Sequence, residues 1–235
     1  MTTAVVFDLD GTLADTTPDI AAAINRTLER RGLGPLDDET IRQFTGFGPD
    51  ELVRRSFAAV GAELDDDDVG EQTRRYLDTY AERPVERSAV HGDAVETLAA
   101  LAASGAALGV CTNKTTALSW TVLRGLGLAE HLGAVVGADA VAHRKPDPRH
   151  LEAVLHALDA SPESAVYVGD NMVDIRTAAA AGVRCAIVNW GTAPLSAAPT
   201  WARIDRFHDL VALLDDGDRP GACHGEEQEE RLRWA

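Results

Sequence analysis

The chain has 235 residues, of which 45% are hydrophobic and 26% charged, so it can bury a core as one large domain or as a domain that carries a smaller inserted one. Its formal net charge of −16 disfavours nucleic acid and anionic membranes as partners, because both would be repelled. We expect a cytoplasmic protein, because the three cysteines form no CxxC pair and the N-terminus does not resemble a leader peptide. In addition, no apolar run approaches the ~20 residues that span a bilayer.

Five short apolar runs, separated by helical stretches, are typical of buried strands in a parallel sheet that is covered on both faces. They are Ala4–Phe7, Leu108–Cys111, Ala134–Val136, Ala165–Val168 and Cys185–Val188. Two of the helices between them are well marked, since Ala94–Ser104 stops at Gly105 and another helix begins at Pro148 after Asp147. The pattern predicts an α/β fold with a Rossmann-like parallel sheet in three α/β/α layers.

Residues 15–89 break this alternation, and their pattern is helical throughout. The predicted helices run from Thr17-Pro18 to Gly32, over Asp50–Ala59 and over Val69–Glu82. We expect an inserted helical cap domain here, with residues 1–14 and 90–214 as the α/β core. The two linkers are expected near Leu13–Thr16 and Glu86–His91. Inserted domains of this kind commonly act as lids.

Polar residues directly follow three of the predicted strands. They are Asp8 and Asp10 after the first strand, Thr112, Asn113 and Lys114 after the second, and Asp170 and Asp174 after the fourth. Ligands of open α/β sheets bind beyond the carboxyl ends of the strands, so these groups are expected to converge there. Crowded acids repel one another unless a cation lies beside them, and carboxylate and carbonyl oxygens suit Mg²⁺. Lys114 and Lys145 are the only lysines among 22 basic residues. Lys114 lies in the second of these motifs, and Lys145 lies in Arg144-Lys145-Pro146-Asp147-Pro148, before the helix that precedes the fourth strand.

Some of these residues also have a purely structural interpretation. Asp-x-Asp-Gly after a strand can be a turn, Thr112 can cap a helix, and Asp174 can be a first-turn acid that the helix dipole favours. The acidic run Asp65–Asp68 is interpreted as a solvated helix entrance, and Cys111 as a buried strand residue. Residues 215–235 are acidic with little to bury, which predicts a disordered tail.

The motifs resemble those of the haloacid dehalogenase-like superfamily, in its phosphatase branch with a helical cap after the first strand. The likeness covers essentially residues 3–195. It lies in DLDGTLADT at the start, TNK at Thr112–Lys114, RKPDP around Lys145 and VGDNMVDI from Val168 to Ile175. Within the family the phosphoglycolate phosphatase group looks closest, and the segment Thr45-Gly46-Phe47-Gly48 adds a weaker likeness.

This resemblance implies a phosphomonoester hydrolase that forms an aspartyl-phosphate. Asp8 would be the nucleophile, and Asp10 would protonate the leaving alkoxide and then take a proton from water. Thr112 would hydrogen-bond a phosphoryl oxygen with the help of Asn113. Lys145 would pair with Asp8 and with the phosphoryl group as a point charge.

The resemblance also implies the cofactor. Mg²⁺ would be held by a carboxylate oxygen of Asp8, the backbone carbonyl of Asp10 and the carboxylate of Asp170, with Asp174 in support. Such an ion screens the approach of a carboxylate to a phosphate dianion. We therefore expect one resident Mg²⁺ at this edge of the sheet.

The cap is expected to choose the substrate, which the resemblance suggests is 2-phosphoglycolate or a similar small phosphorylated metabolite. Its carboxylate would meet the backbone amides around Gly46–Gly48 and Arg54 or Arg55, unless both arginines merely coat their helix. Two interpretations of Lys114 stay open, namely that it contacts the substrate or that it is a solvated residue at the start of a helix. Alternative hypotheses are a broad-specificity sugar-phosphate phosphatase, a pyrophosphatase and a β-phosphoglucomutase-like phosphomutase. A non-enzymatic binding member is disfavoured, because Asp8, Asp10, Lys145 and Asp170 are all present. A monomer or a homodimer is expected.

Overall fold

The computed structural model describes residues 4–194 and 200–215. The strands in these ranges are β1 (Ala4–Phe7), β2 (Ala14–Asp15), β3 (Ala89–Val90), β4 (Ala107–Thr112), β5 (Leu132–Gly137), β6 (Ala165–Gly169), β7 (Arg184–Val188) and β8 (Ala202–Ile204). The helices are α1 (Thr17–Glu29), α2 (Asp38–Phe44), α3 (Pro49–Ala59), α4 (Asp66–Glu82), α5 (Ala94–Ala103), α6 (Thr116–Gly125), α7 (Pro148–Ala157), α8 (Met172–Ala180) and α9 (Asp209–Asp215). Short 3₁₀ turns lie at Ala138–Ala140 and Pro162–Ser164.

The main sheet has six parallel strands in the order β5-β4-β1-β6-β7-β8. All residues of the central strand β1 are buried, and successive side chains point to opposite faces. Phe7 packs on one face with Leu98 of α5, whereas Val6 packs on the other face with Leu151 of α7 and Ile175 of α8. Helices therefore cover both faces, and the predicted α/β fold is confirmed.

The sequence did not predict the sixth strand of the sheet. β8 has three residues, of which Ile204 alone is fully buried, and it pairs in parallel with β7 so that Ala202 lies opposite Ala186. A run this short carries no apolar pattern that distinguishes it from a loop. Helix α2 was missed for a similar reason, because Ile41 is its one buried residue.

Helices α1 to α4 pack together around an apolar cluster of their own. The cluster includes Ile20, Ile24, Leu28, Ile41, Phe57, Tyr76 and Tyr80. Leu118 of α6 also belongs to it, so the helical segment packs against the carboxyl edge of the main sheet. The domain boundaries expected from the sequence stay a prediction, and residues 216–235 of the expected tail lie outside the described residues. No helix in the described ranges is long and apolar enough to cross a membrane.

The two expected linkers pair with each other. β2 and β3 form an antiparallel ribbon in which Ala14 lies opposite Val90 and Asp15 opposite Ala89. Just beyond the ribbon, the buried carboxylate of Asp19 in α1 accepts hydrogen bonds from the backbone N–H groups of residues 86, 87 and 88 and from the hydroxyl of Ser88. Asp19 thus ties the first helix of the cap to the returning chain.

Hydrogen bonding decides the charge state of Asp19. Burial by itself would raise its pKa, but the bonds from Ser88, Arg87 and Glu86 outweigh burial and lower the pKa below its ordinary value. A carboxyl group with a lowered pKa in the folded state stabilises that state above the ordinary pKa of about 3.9, and this contribution is lost as the pH falls further.

We expect Asp19→Asn to lower the free energy of unfolding by about 2–3 kcal/mol at pH 7, because the amide turns an N–H donor toward other buried donors. The difference from wild type should shrink as the pH falls below about 3.9, because Asp19 is then protonated in the unfolded chain before it is protonated in the folded protein, where its pKa is lower. Urea unfolding at several pH values measures both effects. Asp78→Asn, at an exposed acid of α4, is the matched control and should change little. Equal effects of the two substitutions would contradict the assigned role of Asp19.

Candidate active site

The first two acids lie just beyond the carboxyl end of β1. The N–H of Asp8 donates to the carbonyl of Val168 in β6 at 2.8 Å, which extends the strand pairing by one residue. Gly11 then adopts a φ of +84°, and a Cβ atom there would lie 2.8 Å from the Asp170 Oδ2 atom. Glycine is therefore needed at position 11, both for its left-handed backbone and for the close approach of the loop after β6.

Lys145 lies between two of the buried carboxylates. Its Nζ atom is 3.0 Å from Asp8 Oδ1 and 2.8 Å from Asp174 Oδ1, and it donates to the hydroxyl of Tyr167 at 2.8 Å. Its side chain is 1% exposed. Burial alone would lower the pKa of Lys145, but the carboxylates of Asp174 and Asp8 outweigh burial and raise it, so the ammonium stays charged.

Two residues that the sequence analysis did not identify hold this lysine in place. The N–H of Lys145 donates to His150 Nδ1 at 3.2 Å, and His150 Nε2 lies 3.1 Å from the carbonyl of Val136. Burial and the nearby Lys145 lower the pKa of His150 to about 4, so the ring is neutral at pH 7 and donates through Nε2. The hydroxyl of Tyr167 lies 2.9 Å from Asp174 Oδ1 and completes the polar surroundings of the ammonium.

Three buried acids converge beside this lysine. Carboxylate oxygens of Asp8, Asp170 and Asp174 lie within 4.8 Å of one another. Burial raises the pKa of Asp8 to about 7, with Lys145 opposing and Asp174 and Asp10 adding to the rise. Burial and the neighbouring carboxylates of Asp174 and Asp8 also hold the pKa of Asp170 well above its usual range. One ammonium does not balance three carboxylates, and their hard oxygen donors fit a divalent cation.

The interpretation of Asp174 as a first-turn acid of its helix is confirmed, and its role in holding Mg²⁺ stays a prediction. Asp174 is the third residue of α8, where its Oδ2 accepts from the N–H groups of Asp170 at 3.0 Å and Asn171 at 3.3 Å. Asn171 Oδ1 in return accepts from the N–H of Asp174 at 3.4 Å, which completes a capping box. The other oxygen of Asp174 is free of the helix and faces Lys145. The helix start therefore fixes the orientation of this carboxylate.

Asp10 is held by two donors from different parts of the chain. Thr16 Oγ1 donates to Asp10 Oδ1 at 2.6 Å, and Lys114 Nζ donates to Asp10 Oδ2 at 2.9 Å. The same ammonium lies 4.7 Å from the ring centroid of Tyr80 in α4. Lys114 is buried, so the structure places it in the site rather than on a solvated helix start.

Thr112 and Asn113 follow β4 on the same edge. The cap of α6 is Thr115, whereas the Thr112 hydroxyl accepts from the N–H of Lys114 at 3.2 Å. Asn113 Nδ2 donates to the carbonyls of Gly46 at 2.9 Å and Lys145 at 3.1 Å, so it joins the cap loop to the core. Asn113 Oδ1 is buried and has no hydrogen-bond partner among the described residues.

A cavity opens between this edge and the helical segment. Its polar wall consists of Asp8, Asp10, Thr45, Thr112, Asn113, Lys114 and Thr115, with the backbone of Gly46 and Gly48. Its opposite wall is largely apolar and includes Ile20, Pro49, Leu52, Leu77, Leu118 and the rings of Tyr76 and Tyr80. Asp8, Asp10, Thr112, Asn113 and Gly46 are thus brought together around one space, whereas Asp170, Asp174 and Lys145 are not among the residues that line it.

The two arginines considered for substrate binding lie elsewhere. Arg54 pairs with Asp66 at 2.8 Å, and 43% of its side chain is exposed. Arg55 pairs with Glu51 at 2.6 Å and lies over the ring of Phe47. Neither is among the residues that line the cavity. A salt bridge from α3 to the start of α4 accounts for Arg54, and one within α3 accounts for Arg55.

Comparison with known proteins identifies relatives of the whole chain. A family model described as haloacid dehalogenase-like hydrolase matches residues 5–188. A phosphoglycolate phosphatase of Rhodospirillum rubrum is 42% identical over 232 residues, which cover 94% of this chain and 96% of the relative. A phosphoglycolate phosphatase of Caulobacter vibrioides is 40% identical over 187 residues, which cover 80% of this chain and 79% of the relative.

Solved structures are similar over nearly the same range. A predicted phosphoglycolate phosphatase from Haemophilus somnus superposes with a TM-score of 0.82 at 27% identity, covering 91% of this chain and 98% of the other. CbbY from Rhodobacter sphaeroides, solved in complex with phosphate, gives a TM-score of 0.74 at 28% identity and covers 92% of this chain and 100% of the other.

Because the negative charge of the acid cluster is not balanced, removing one acid should stabilise the metal-free protein but weaken Mg²⁺ binding. In metal-free buffer at pH 8, Asp170→Asn should raise the melting temperature, because it removes one of three mutually repelling buried carboxylates. The same substitution should weaken Mg²⁺ binding by about tenfold or more, and so abolish most of the rise in melting temperature that Mg²⁺ gives the wild type.

Differential scanning fluorimetry over a Mg²⁺ titration, with a chelator as the zero point, measures both effects. Glu152→Gln, at an exposed acid of α7, lowers the net negative charge by the same amount and should leave the Mg²⁺ response unchanged. A D170N variant with a wild-type response to Mg²⁺ would show that the cluster is not the cation site.

Proposed function

The chain belongs to the haloacid dehalogenase-like hydrolase family, and from this premise we propose that it is a Mg²⁺-dependent phosphomonoester hydrolase acting on 2-phosphoglycolate or a similarly small phosphorylated metabolite. The observation that carries the proposal is the buried Asp8 carboxylate, held 3.0 Å from Lys145 at the wall of a cavity that Asp10 also lines. The expected cytoplasmic location and the monomeric or dimeric state stay predictions.

Asp8 is proposed as the nucleophile. One of its oxygens is oriented by Lys145, which leaves the carboxylate free to attack phosphorus and to form an aspartyl-phosphate while the ester oxygen departs. The hydroxyl of Thr112 and the amide of Asn113 line the same cavity and would hydrogen-bond the phosphoryl oxygens. When bound to Asp8, Asp170, Asp174 and the backbone carbonyl of Asp10, Mg²⁺ would neutralise charge on the phosphoryl group.

Asp10 is proposed as the proton shuttle. It would give a proton to the leaving alkoxide, and in the second step it would take one from the water that attacks the aspartyl-phosphate. The contacts with Thr16 and Lys114 support this role, because they fix both oxygens of the carboxylate at the cavity wall. After the second step phosphate leaves and Asp8 is regenerated.

The composition of the cavity supports a small substrate. The sugar of a hexose phosphate carries several hydroxyl groups, each of which needs a hydrogen-bond partner when it is buried. Ile20, Leu52 and Leu118 in the opposite wall offer none. A leaving group of two or three carbons would instead bury little polar surface against them.

Asp8→Asn should lower kcat by about four orders of magnitude or more, because an amide does not attack phosphorus. Asp10→Asn should lower kcat by about 10²- to 10⁴-fold, the range of general acid–base catalysis, and slow both chemical steps. Steady-state phosphate release with 2-phosphoglycolate and Mg²⁺ gives both values, and circular dichroism verifies the fold. Wild-type turnover by D8N would refute Asp8 as the nucleophile.

A panel of phosphate esters, assayed with and without Mg²⁺, tests the substrate. We expect kcat/KM to be highest for 2-phosphoglycolate, to fall by about tenfold or more for glucose 6-phosphate and pyrophosphate, and to vanish in excess chelator. A sugar phosphate or pyrophosphate turned over tenfold more efficiently would overturn the substrate assignment. A kinetic need for a sugar bisphosphate activator would indicate a phosphomutase instead.

A further inference from the structure

Lys114 contributes a positive charge to the wall of the cavity. Among the described residues that line it, Lys114 is the one with a cationic side chain. The other lysine of the chain, Lys145, is already enclosed by Asp8 and Asp174. In a protein with a net charge of −16, an anionic ligand depends on such local cations. Lys114 is therefore the group available to a second negative charge on a ligand.

The position of Lys114 limits where that second charge can be. The leaving oxygen must come within hydrogen-bond reach of Asp10, which is roughly 3 Å, for proton transfer to occur. Lys114 Nζ is 2.9 Å from Asp10 Oδ2, so the ammonium lies next to the path of the leaving group. An ammonium carries three donors, and Asp10 takes one of them. An anionic group one or two carbons from the ester oxygen is within reach of the others.

Tyr80 holds the ammonium from the side of the cap. Its ring centroid is 4.7 Å from Lys114 Nζ, a distance at which the face of the ring attracts a cation. Tyr76 stacks against Tyr80 with centroids 5.9 Å apart and an interplanar angle of 9°, which keeps the ring in this orientation. The Tyr80 side chain is buried, and its hydroxyl has no hydrogen-bond partner among the described residues. The ring face, and not the hydroxyl, is therefore the contacting part.

We infer that Lys114, positioned by the ring of Tyr80, selects phosphomonoesters whose leaving group carries a second negative charge one or two carbons from the ester oxygen. Asp10 contacts one side of the ammonium and Tyr80 of helix α4 contacts the other. The cap therefore helps to position the cationic group that would bind the second negative charge of the substrate. This inference rests on the proposed function. Tyr80 is a positioning residue in it, since it acts through Lys114.

The test compares two substrates that differ at one group. 2-Phosphoglycolate carries a carboxylate where 2-hydroxyethyl phosphate carries a neutral alcohol, and the readout is the ratio of their kcat/KM values. Damage to Asp10 or to the nucleophile slows both substrates and cancels in this ratio. The wild type should favour 2-phosphoglycolate by about 100-fold, which corresponds to two factors of ten at 1.4 kcal/mol each.

Lys114→Met should lower the ratio by at least about tenfold, and Tyr80→Leu by at least about threefold, because the ammonium is lost in the first variant and released in the second. Tyr80→Phe keeps the ring and removes a hydroxyl without a partner, so its ratio should stay within about twofold of wild type. Phe57→Leu, in the buried cluster of the cap but away from the cavity lining, controls for a loosened cap and should also leave the ratio unchanged.

An unchanged ratio in K114M, or an equal fall in Y80F and Y80L, would overturn the inference. Thermal melts establish that each variant folds, and Lys114→Gln replaces K114M if the latter does not. A wild type that hydrolyses both esters equally well would refute the role of Lys114 while leaving the phosphatase proposal intact. A wild type that hydrolyses neither ester would refute the proposed function itself.

Discussion

Three carboxylates and one ammonium share a buried volume at the edge of the sheet, and the surrounding elements are built to hold these charges together. Asp8 and Asp174 face Lys145 at 3.0 and 2.8 Å, in a region where an unpaired charge would be strongly destabilising. β1 and β6 run side by side and deliver the acids, and His150 fixes the backbone of the lysine. The remaining negative charge and the oxygen donors of this edge fit a divalent cation.

A second buried lysine, Lys114, contacts both an acid of the sheet edge and the cap. Lys114 donates to Asp10 and lies over Tyr80, so the proposed proton shuttle, the sheet edge and helix α4 meet at one ammonium. Asn113 adds a hydrogen bond from the core to the cap loop at Gly46. The sheet edge and the helical cap are therefore joined by short contacts, and Lys114 connects α4 to Asp10.

The sequence was sufficient for five of the six strands of the main sheet and for the position of the acids, because both have local signatures. Unbroken apolar runs identify buried strands, and polar residues directly after them must meet at one edge of a parallel sheet. His150 and Tyr167 were missed because a buried histidine and a strand tyrosine have no distinctive pattern, and their partners lie far along the chain or on another element. Arg54 was considered because it is cationic, yet Asp66 pairs with it on the surface. The sequence does not predict the role of Tyr80, since its contact with Lys114 depends on how the cap packs against the core.

The proposed mechanism requires Asp8 to carry the phosphoryl group during turnover. Quenching the enzyme in acid during steady-state hydrolysis of 2-phosphoglycolate and analysing its peptides by mass spectrometry detects such an intermediate. We expect one added phosphoryl group on the peptide that contains Asp8, present with Mg²⁺ and absent in excess chelator. A phosphoryl group on another residue, or release of phosphate through D8N at the wild-type rate, would contradict this mechanism.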